Sequence, residues 1–173
     1  MEAHVQVGDV RLRELTEADL PLLAGYANNP KVSRNLRDAF PSPYTLEDAR
    51  TFKRMTDAQD PKTAFAIEYR GAYAGNISLT PGMDVYRRGA EIGYFVGEPF
   101  WNKGIATRAV RLMVARGFES LGLVRIHTGV FSYNTASMRV LEKCGFALEG
   151  IARLAVEKNG ALWDEYRYAI LKT

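Results

Sequence analysis

Between Phe100 and Val110 the chain reads FWNKGIATRAV, a glycine-centred loop that runs straight into a helical pattern. The first N–H groups of a helix have no intrahelical acceptor, and the macrodipole adds partial positive charge, so such a junction can hold an anion. Gly104 lets the backbone approach that anion, and Ala106 keeps the mouth uncluttered. Thr107 adds a hydroxyl and Lys103 a full charge, with Ile105 between. The chemistry that fits is the cradling of a pyrophosphate. An ordinary loop with a glycine for turn geometry explains the fragment equally well at this point. The segment lacks the GKS/GKT ending of a nucleotide P-loop and the full glycine set of a dinucleotide fingerprint.

Two further residues have the chemistry to move protons. Glu91 lies in the strand-like run AEIGYFV (90–96), where a carboxylate is either a general base working through a water or an exposed ion-pair partner. Ser137, in NTASMRVLEKCGF, either hydrogen-bonds a leaving group or serves the start of a helix. The other polar candidates have plainer readings. His127 alternates along a strand as a structural histidine, and His4 sits in the terminal stretch. Two histidines and one cysteine, widely separated, do not form a zinc ligand set, so no metal is expected. Cys144 ends a helix with no adjacent histidine to activate it and reads as core. Tyr133, Tyr166 and Tyr168 read as packing, with Tyr166 also a candidate for lining an acceptor pocket.

The elements around these residues follow from periodicity and caps. VRLREL (10–15) alternates as a half-buried strand, and Thr16 with Asp19 resembles a capping box opening a helix. Residues 30–43 read as an irregular connection, and Thr45 with Asp48 caps a second helix to about residue 59. Strands are expected at 63–69 and 73–80, joined at Arg70-Gly71, and at 90–96. A helix over 105–118 buries Ile105, Ala109, Leu112 and Met113, with Phe118 at its end. A strand covers 124–131, a short helix runs from an Asn134 cap to Gly145, and a hairpin turns at Asn159-Gly160. The helix between 90–96 and 124–131 is a crossover, so those two strands should be parallel.

The 173 residues suit one domain, with no repeat, low-complexity tract or flexible linker. Hydrophobic residues at 47% and charged residues at 25% exclude a disordered or collagen-like chain. No apolar run is long enough to span a bilayer, and no signal peptide is apparent. A single cysteine fits a reducing compartment, and the expected location is the cytoplasm. Net charge is only +3 and spread along the chain, which argues against a specific nucleic-acid partner.

EIGYFVGEPFWNKGIATRAV (91–110), followed at the expected distance by NTASMRVLEKCGF (134–146), resembles the GNAT superfamily of N-acetyltransferases. With LRELTEADLPLL (12–23), the likeness runs from about residue 9 to 171 and is strongest to the ribosomal-protein N-terminal acetyltransferase branch. The resemblance implies an α/β (α+β) domain. Its mixed, mostly antiparallel sheet would have about seven strands, one parallel splayed pair and about four helices. It implies acetyl-CoA as donor, with the pyrophosphate on Lys103–Thr107 and the pantetheine arm paired to backbone groups of Phe95 and Val96. Asn134 would contact the cofactor from across the slot, Glu91 would be the base, and Ser137 would serve the leaving sulfur. Two departures stand out: Trp101 holds the first motif position, and the tyrosine many members use as general acid is absent near Glu142. The acceptor stays open between a protein N-terminus and a small amine, with a catalytically idle acetyl-CoA sensor as a third reading. Whether the chain is a monomer or a homodimer also stays open.

Overall fold

The computed structural model describes residues 5–173. Its strands are β1 (Gln6–Val7), β2 (Val10–Arg13), β3 (Ala64–Tyr69), β4 (Ala72–Pro81), β5 (Gly89–Val96), β6 (Arg125–Phe131), β7 (Ala147–Lys158) and β8 (Ala161–Leu171). They form one sheet in the order β1-β2-β3-β4-β5-β6-β8-β7. Only β5 and β6 are parallel; the other neighbours are antiparallel. The helices are α1 (Leu20–Asn28), α2 (Pro30–Ser33), α3 (Leu46–Asp57), α4 (Ile105–Glu119) and α5 (Thr135–Lys143).

The counts exceed expectation by one strand and one helix. β1 is a two-residue edge strand hairpinned onto β2, too short to show alternation. α2 is a single turn inside the stretch read as irregular, started by Pro30 and capped by Asn29, whose Oδ1 accepts from the Lys31 N–H at 3.0 Å. One turn leaves no periodic pattern to detect.

The capping boxes were legible, but only one opens an α-helix directly. At Thr45 the N–H donates to Asp48 Oδ2 at 2.7 Å, and the Asp48 N–H returns to Thr45 Oγ1 at 3.1 Å. At Thr16 the same exchange starts a 3-10 turn over Glu17–Asp19 before α1 begins. Pro21 has no N–H to reach the Glu17 carbonyl, and the Leu20 N–H takes that carbonyl instead.

Side chains on the two sheet faces feed two cores. Ile77, Leu79, Ala90, Ile92 and Ile126 pack under α4 and α5 against Ile105, Ala109, Met113 and Leu141. Ala66, Tyr73 and Phe95 face the other way, against Leu20, Leu23 and Ala27 of α1 and Ala49 of α3. Each strand therefore presents alternate residues to opposite layers.

A buried ion pair fixes the entry to α1. Asp19 is 5% exposed and accepts from Arg13 at 2.6 and 2.9 Å, while Arg13 Nε holds Glu68 at 2.6 Å. Burial alone would raise the Asp19 carboxyl, but the bonds from Arg13 and Thr16 outweigh it and hold it below the ordinary 3.8. Its contribution is therefore present above the unfolded value and lost as pH falls through the lower folded one. Asp19→Ala should cost about 2–3 kcal/mol at neutral pH in urea denaturation, with the gap to wild type closing under acid conditions.

Candidate active site

β5 and β6 pair only at Gly89 with Arg125, Ala90 with Ile126 and Glu91 with His127. Both strands continue beyond that point, β5 to Val96 and β6 to Phe131, without a further pair. The far edge of β5 stays registered on β4 to the end, with Gly75 opposite Val96. The Gly82 N–H donates to the Gly89 carbonyl at 2.9 Å, and the Gly97 N–H to the Ala74 carbonyl at 2.8 Å. These bonds set the phase of the ladder, so odd-numbered residues of β5 bond β4 and the backbone groups of Ile92, Tyr94 and Val96 face the opening gap.

That phase separates the two residues expected to offer backbone groups to a slot. Val96 faces the gap, and its carbonyl accepts from Trp101 Nε1 at 2.7 Å, leaving its N–H. Phe95 does not: its backbone belongs to the ladder opposite Asn76, and its ring packs edge-on to Phe40 at 6.2 Å. The alternation was legible; its phase was not, because it is set by contacts from Gly82 and Gly97 outside the strand.

The loop beyond Val96 ends in a left-handed Gly104, φ +67°, which caps α4. A Cβ placed there would meet nothing within 4 Å, so the space over the helix mouth is open. The first backbone bond of α4 runs from the Arg108 N–H to the Gly104 carbonyl at 3.3 Å. The N–H groups of Ile105, Ala106 and Thr107 precede it and have no carbonyl behind them. Lys103 turns its ammonium back to the Pro99 carbonyl at 2.8 Å. Arg108, not among the residues singled out from the sequence, donates to the carbonyls of Lys103 and Gly104 at 2.6 and 3.2 Å. Its place four residues after the glycine was the available signal.

α5 closes the same side. Asn134 Oδ1 accepts from the Ser137 N–H at 3.3 Å, and the Asn134 N–H holds the Phe131 carbonyl at 2.8 Å. Ser137 Oγ lies 2.7 Å from the hydroxyl of Tyr94, a residue read only as part of a strand. Burial raises the Tyr94 hydroxyl well above its ordinary value, so it carries its proton at any working pH. Arg111 donates to the Lys143 carbonyl at 3.0 Å and Cys144 Sγ to the Thr107 carbonyl at 3.4 Å, tying the end of α5 to α4. Tyr168 is buried and donates to Glu142 at 3.1 Å, and Tyr166 packs against the core beneath α4 and α5. Val96, Lys103–Thr107, Asn134 and Ser137 thus share one side of the sheet.

Glu91 is on the other. It borders a cleft of about 570 Å³, lined also by His127, Glu149, Glu165 and Arg167. Each carboxylate is paired: Glu91 with Arg37, Glu149 with Arg125 at 2.5 Å, and Glu165 with Arg167 at 3.3 Å. Glu165 lies over Gly129, where a Cβ would come 2.4 Å from its carboxyl carbon. His127, expected to be a satisfied structural histidine, lines the cleft beside Glu91. The segment 34–38 sends Arg37 into the cleft and is tied down on either side of it in sequence. The Tyr133 hydroxyl donates to the Arg34 carbonyl, the Arg34 guanidinium stands 4.9 Å over the Tyr133 ring, and Asp38 binds buried Lys158 at 2.6 Å. His4 lies outside the described residues. Among those described, no cluster of three or more His, Cys, Asp or Glu side chains could hold a metal, and no helix is long and apolar enough to cross a membrane.

Comparison with known proteins gives a family match over residues 9–147, to the acetyltransferase (GNAT) domain. The probable N-acetyltransferase YjcK of Bacillus subtilis strain 168 is 41% identical over 135 residues, 74% of each chain. The putative ribosomal N-acetyltransferase YdaF of the same organism is 39% identical over 104 residues, 60% of this chain and 56% of the relative. The spermidine N(1)-acetyltransferase of Escherichia coli K12 is 30% identical over 167 residues, 93% of this chain and 83% of the relative. Among solved structures, the microcin C7 self-immunity acetyltransferase MccE, in complex with acetyl-CoA and AMP, superposes with a TM-score of 0.78 at 25% identity. It covers 96% of this chain and 94% of its own.

The geometry separates a covalent relay from a direct one. Cys144 is half-buried, burial raises its thiol, and its Sγ is turned to the Thr107 carbonyl. A thiol so held is a poor acyl acceptor. Alkylation by iodoacetamide at neutral pH should be about tenfold or more slower in the folded protein than in urea, by mass spectrometry.

Proposed function

We propose, from the premise that the chain belongs to the GNAT acetyltransferase family and is an N-acetyltransferase, that its donor is acetyl-CoA and its acceptor the N-terminal α-amine of a protein or peptide. The donor side of this reading rests on the gap and the helix mouth. The pyrophosphate would lie on the N–H groups of Ile105, Ala106 and Thr107, with Gly104 allowing close approach and Lys103 adding charge once it leaves the Pro99 carbonyl. The pantetheine arm would run along the gap face of β5, where the Val96 N–H is ready to pair, with Asn134 opposite.

Transfer then takes place directly, within one complex of enzyme, donor and acceptor. The neutral amine attacks the thioester carbonyl, an N–C bond forms, and the carbonyl oxygen takes up charge beside a fixed backbone N–H of β5. Glu91 takes the amine proton through a water once Arg37 has given way. The C–S bond breaks and the thiolate accepts a hydrogen bond from Ser137. Acetyl leaves sulfur and arrives on nitrogen; the proton leaves nitrogen for the base.

The pairing of every carboxylate in the Glu91 cleft carries the choice of acceptor. Glu91, Glu149 and Glu165 are each matched by an arginine, so the cleft offers no surplus negative charge to draw in a polycation. An α-amine near pKa 8 is also deprotonated far more readily than a lysine amine near 10.4, a gap of about 3 kcal/mol. The ribosomal relative agrees with this reading, and the spermidine relative marks its competitor.

A panel of short peptides with free N-termini, the same peptides blocked at the terminus but carrying lysine, and spermidine tests it by thiol release and mass spectrometry. Acetylation on the α-nitrogen alone is expected; efficient spermidine turnover with unmodified peptides would overturn it. Glu91→Gln should slow the reaction by about 10²-fold. The deficit should be greatest at low pH and shrink as hydroxide becomes available. A variant with wild-type rates across the range would move the base elsewhere, and His127→Gln would then show whether its neighbour fills the role.

A further inference from the structure

The Ser137 hydroxyl has a partner that the mechanism above does not use. Tyr94 stands on β5, with its backbone facing the gap and its side chain crossing to α5, where its hydroxyl lies 2.7 Å from Ser137 Oγ. Ser137 has one O–H to give and two lone pairs to fill. Its N–H is already held by the Asn134 side chain, which fixes the first turn of α5 around it. If Ser137 donated to Tyr94, its only proton would be turned away from the gap.

We propose that Tyr94 is a positioning residue for the leaving-group step: its O–H donates to Ser137 Oγ, and this orients the serine O–H toward the departing sulfur. The inference rests on the role given to Ser137. Tyr94 never touches the thioester and acts through the serine alone. Burial raises the Tyr94 hydroxyl, so it keeps a proton to give across the working range. The direction of the chain, Tyr94 to Ser137 to sulfur, follows from the serine's single proton having to face the gap. A hydroxyl that already accepts one hydrogen bond becomes a better donor of its own, so the pair stabilises a thiolate more than a lone serine would. No proton need be transferred: an alcohol is a far weaker acid than a thiol, and the step requires only a hydrogen bond held in place.

The product complex tests this without any acceptor. Coenzyme A bound to the protein carries a thiol whose ionisation can be followed by ultraviolet absorbance of the thiolate. Ser137→Ala should raise the pKa of the bound thiol by about one unit, and Tyr94→Phe by about half a unit to one. In the Ser137→Ala background, Tyr94→Phe should add nothing, because its route is gone. With a turned-over acceptor, Tyr94→Phe should lower kcat by about three- to tenfold and leave the KM for acetyl-CoA unchanged.

A thiol pKa unmoved by Ser137→Ala would remove the serine reading itself. A normal response to Ser137→Ala with none to Tyr94→Phe, or with equal effects of Tyr94→Phe in both backgrounds, would overturn the Tyr94 proposal alone. Replacing only Tyr94 by a ring-fluorinated tyrosine keeps the ring and makes the hydroxyl a stronger donor. It should shift the bound thiol pKa down, and a shift upward or none would overturn the proposal even where Tyr94→Phe does not fold.

Discussion

A parallel pair of strands that stops pairing after three residues is the constraint on which the rest depends. Inside a sheet, an N–H or carbonyl with no partner is costly, and folded chains almost always satisfy it. Here the groups of β5 beyond Glu91 have lost their neighbour on one side while β4 holds them rigid on the other. The α4 mouth, the Trp101 contact and the α5 cap are all arranged around that opening. The strand supplies directional groups that no substitution short of proline deletes, which makes it a durable place to align an extended, amide-bearing ligand.

The sheet also divides the chemistry between its faces. Alternation sends Tyr94 and Val96 to the α4/α5 side and Glu91 and Phe95 to the α1/α3 side. The groups read as serving the donor gather on one side, and the base candidate looks out from the other. The amine and the thioester would therefore approach from different directions and meet in the plane of the gap. Such an arrangement lets the amine reach one face of the thioester carbonyl without requiring either ligand to move past the other.

Much of this was legible from residue order. The capping pairs Thr16/Asp19 and Thr45/Asp48, the Asn134 cap and the Gly104 mouth are local signals, written within a few residues of where they act. β1 and α2 were missed because two residues and one turn are too short to show a period. Tyr94 and Arg37 were missed for a different reason. Their partners, Ser137 and Glu91, are 43 and 54 residues away, and a pairing made by tertiary packing has no spacing rule in the sequence. Residue order alone does not separate Phe95 from Val96, because a strand advertises its alternation but not which edge each residue bonds.

The chain has two tryptophans, and the fold holds them in different surroundings, one at the end of β5 and one beside the 34–38 segment. Trp101 is fastened by its indole N–H to the last carbonyl of the gap strand, beside the loop that leads to the α4 mouth. Trp163 stands edge-on to Tyr133 at 4.8 Å, and Tyr133 in turn bonds the Arg34 carbonyl of the segment that carries Arg37 to Glu91. Each indole is thus held by a contact on a different side of the gap, and their emission can be separated by removing either one. On the proposed reading, the molecule carries its own pair of optical probes, and the order in which donor and acceptor arrive would be read from them without a label.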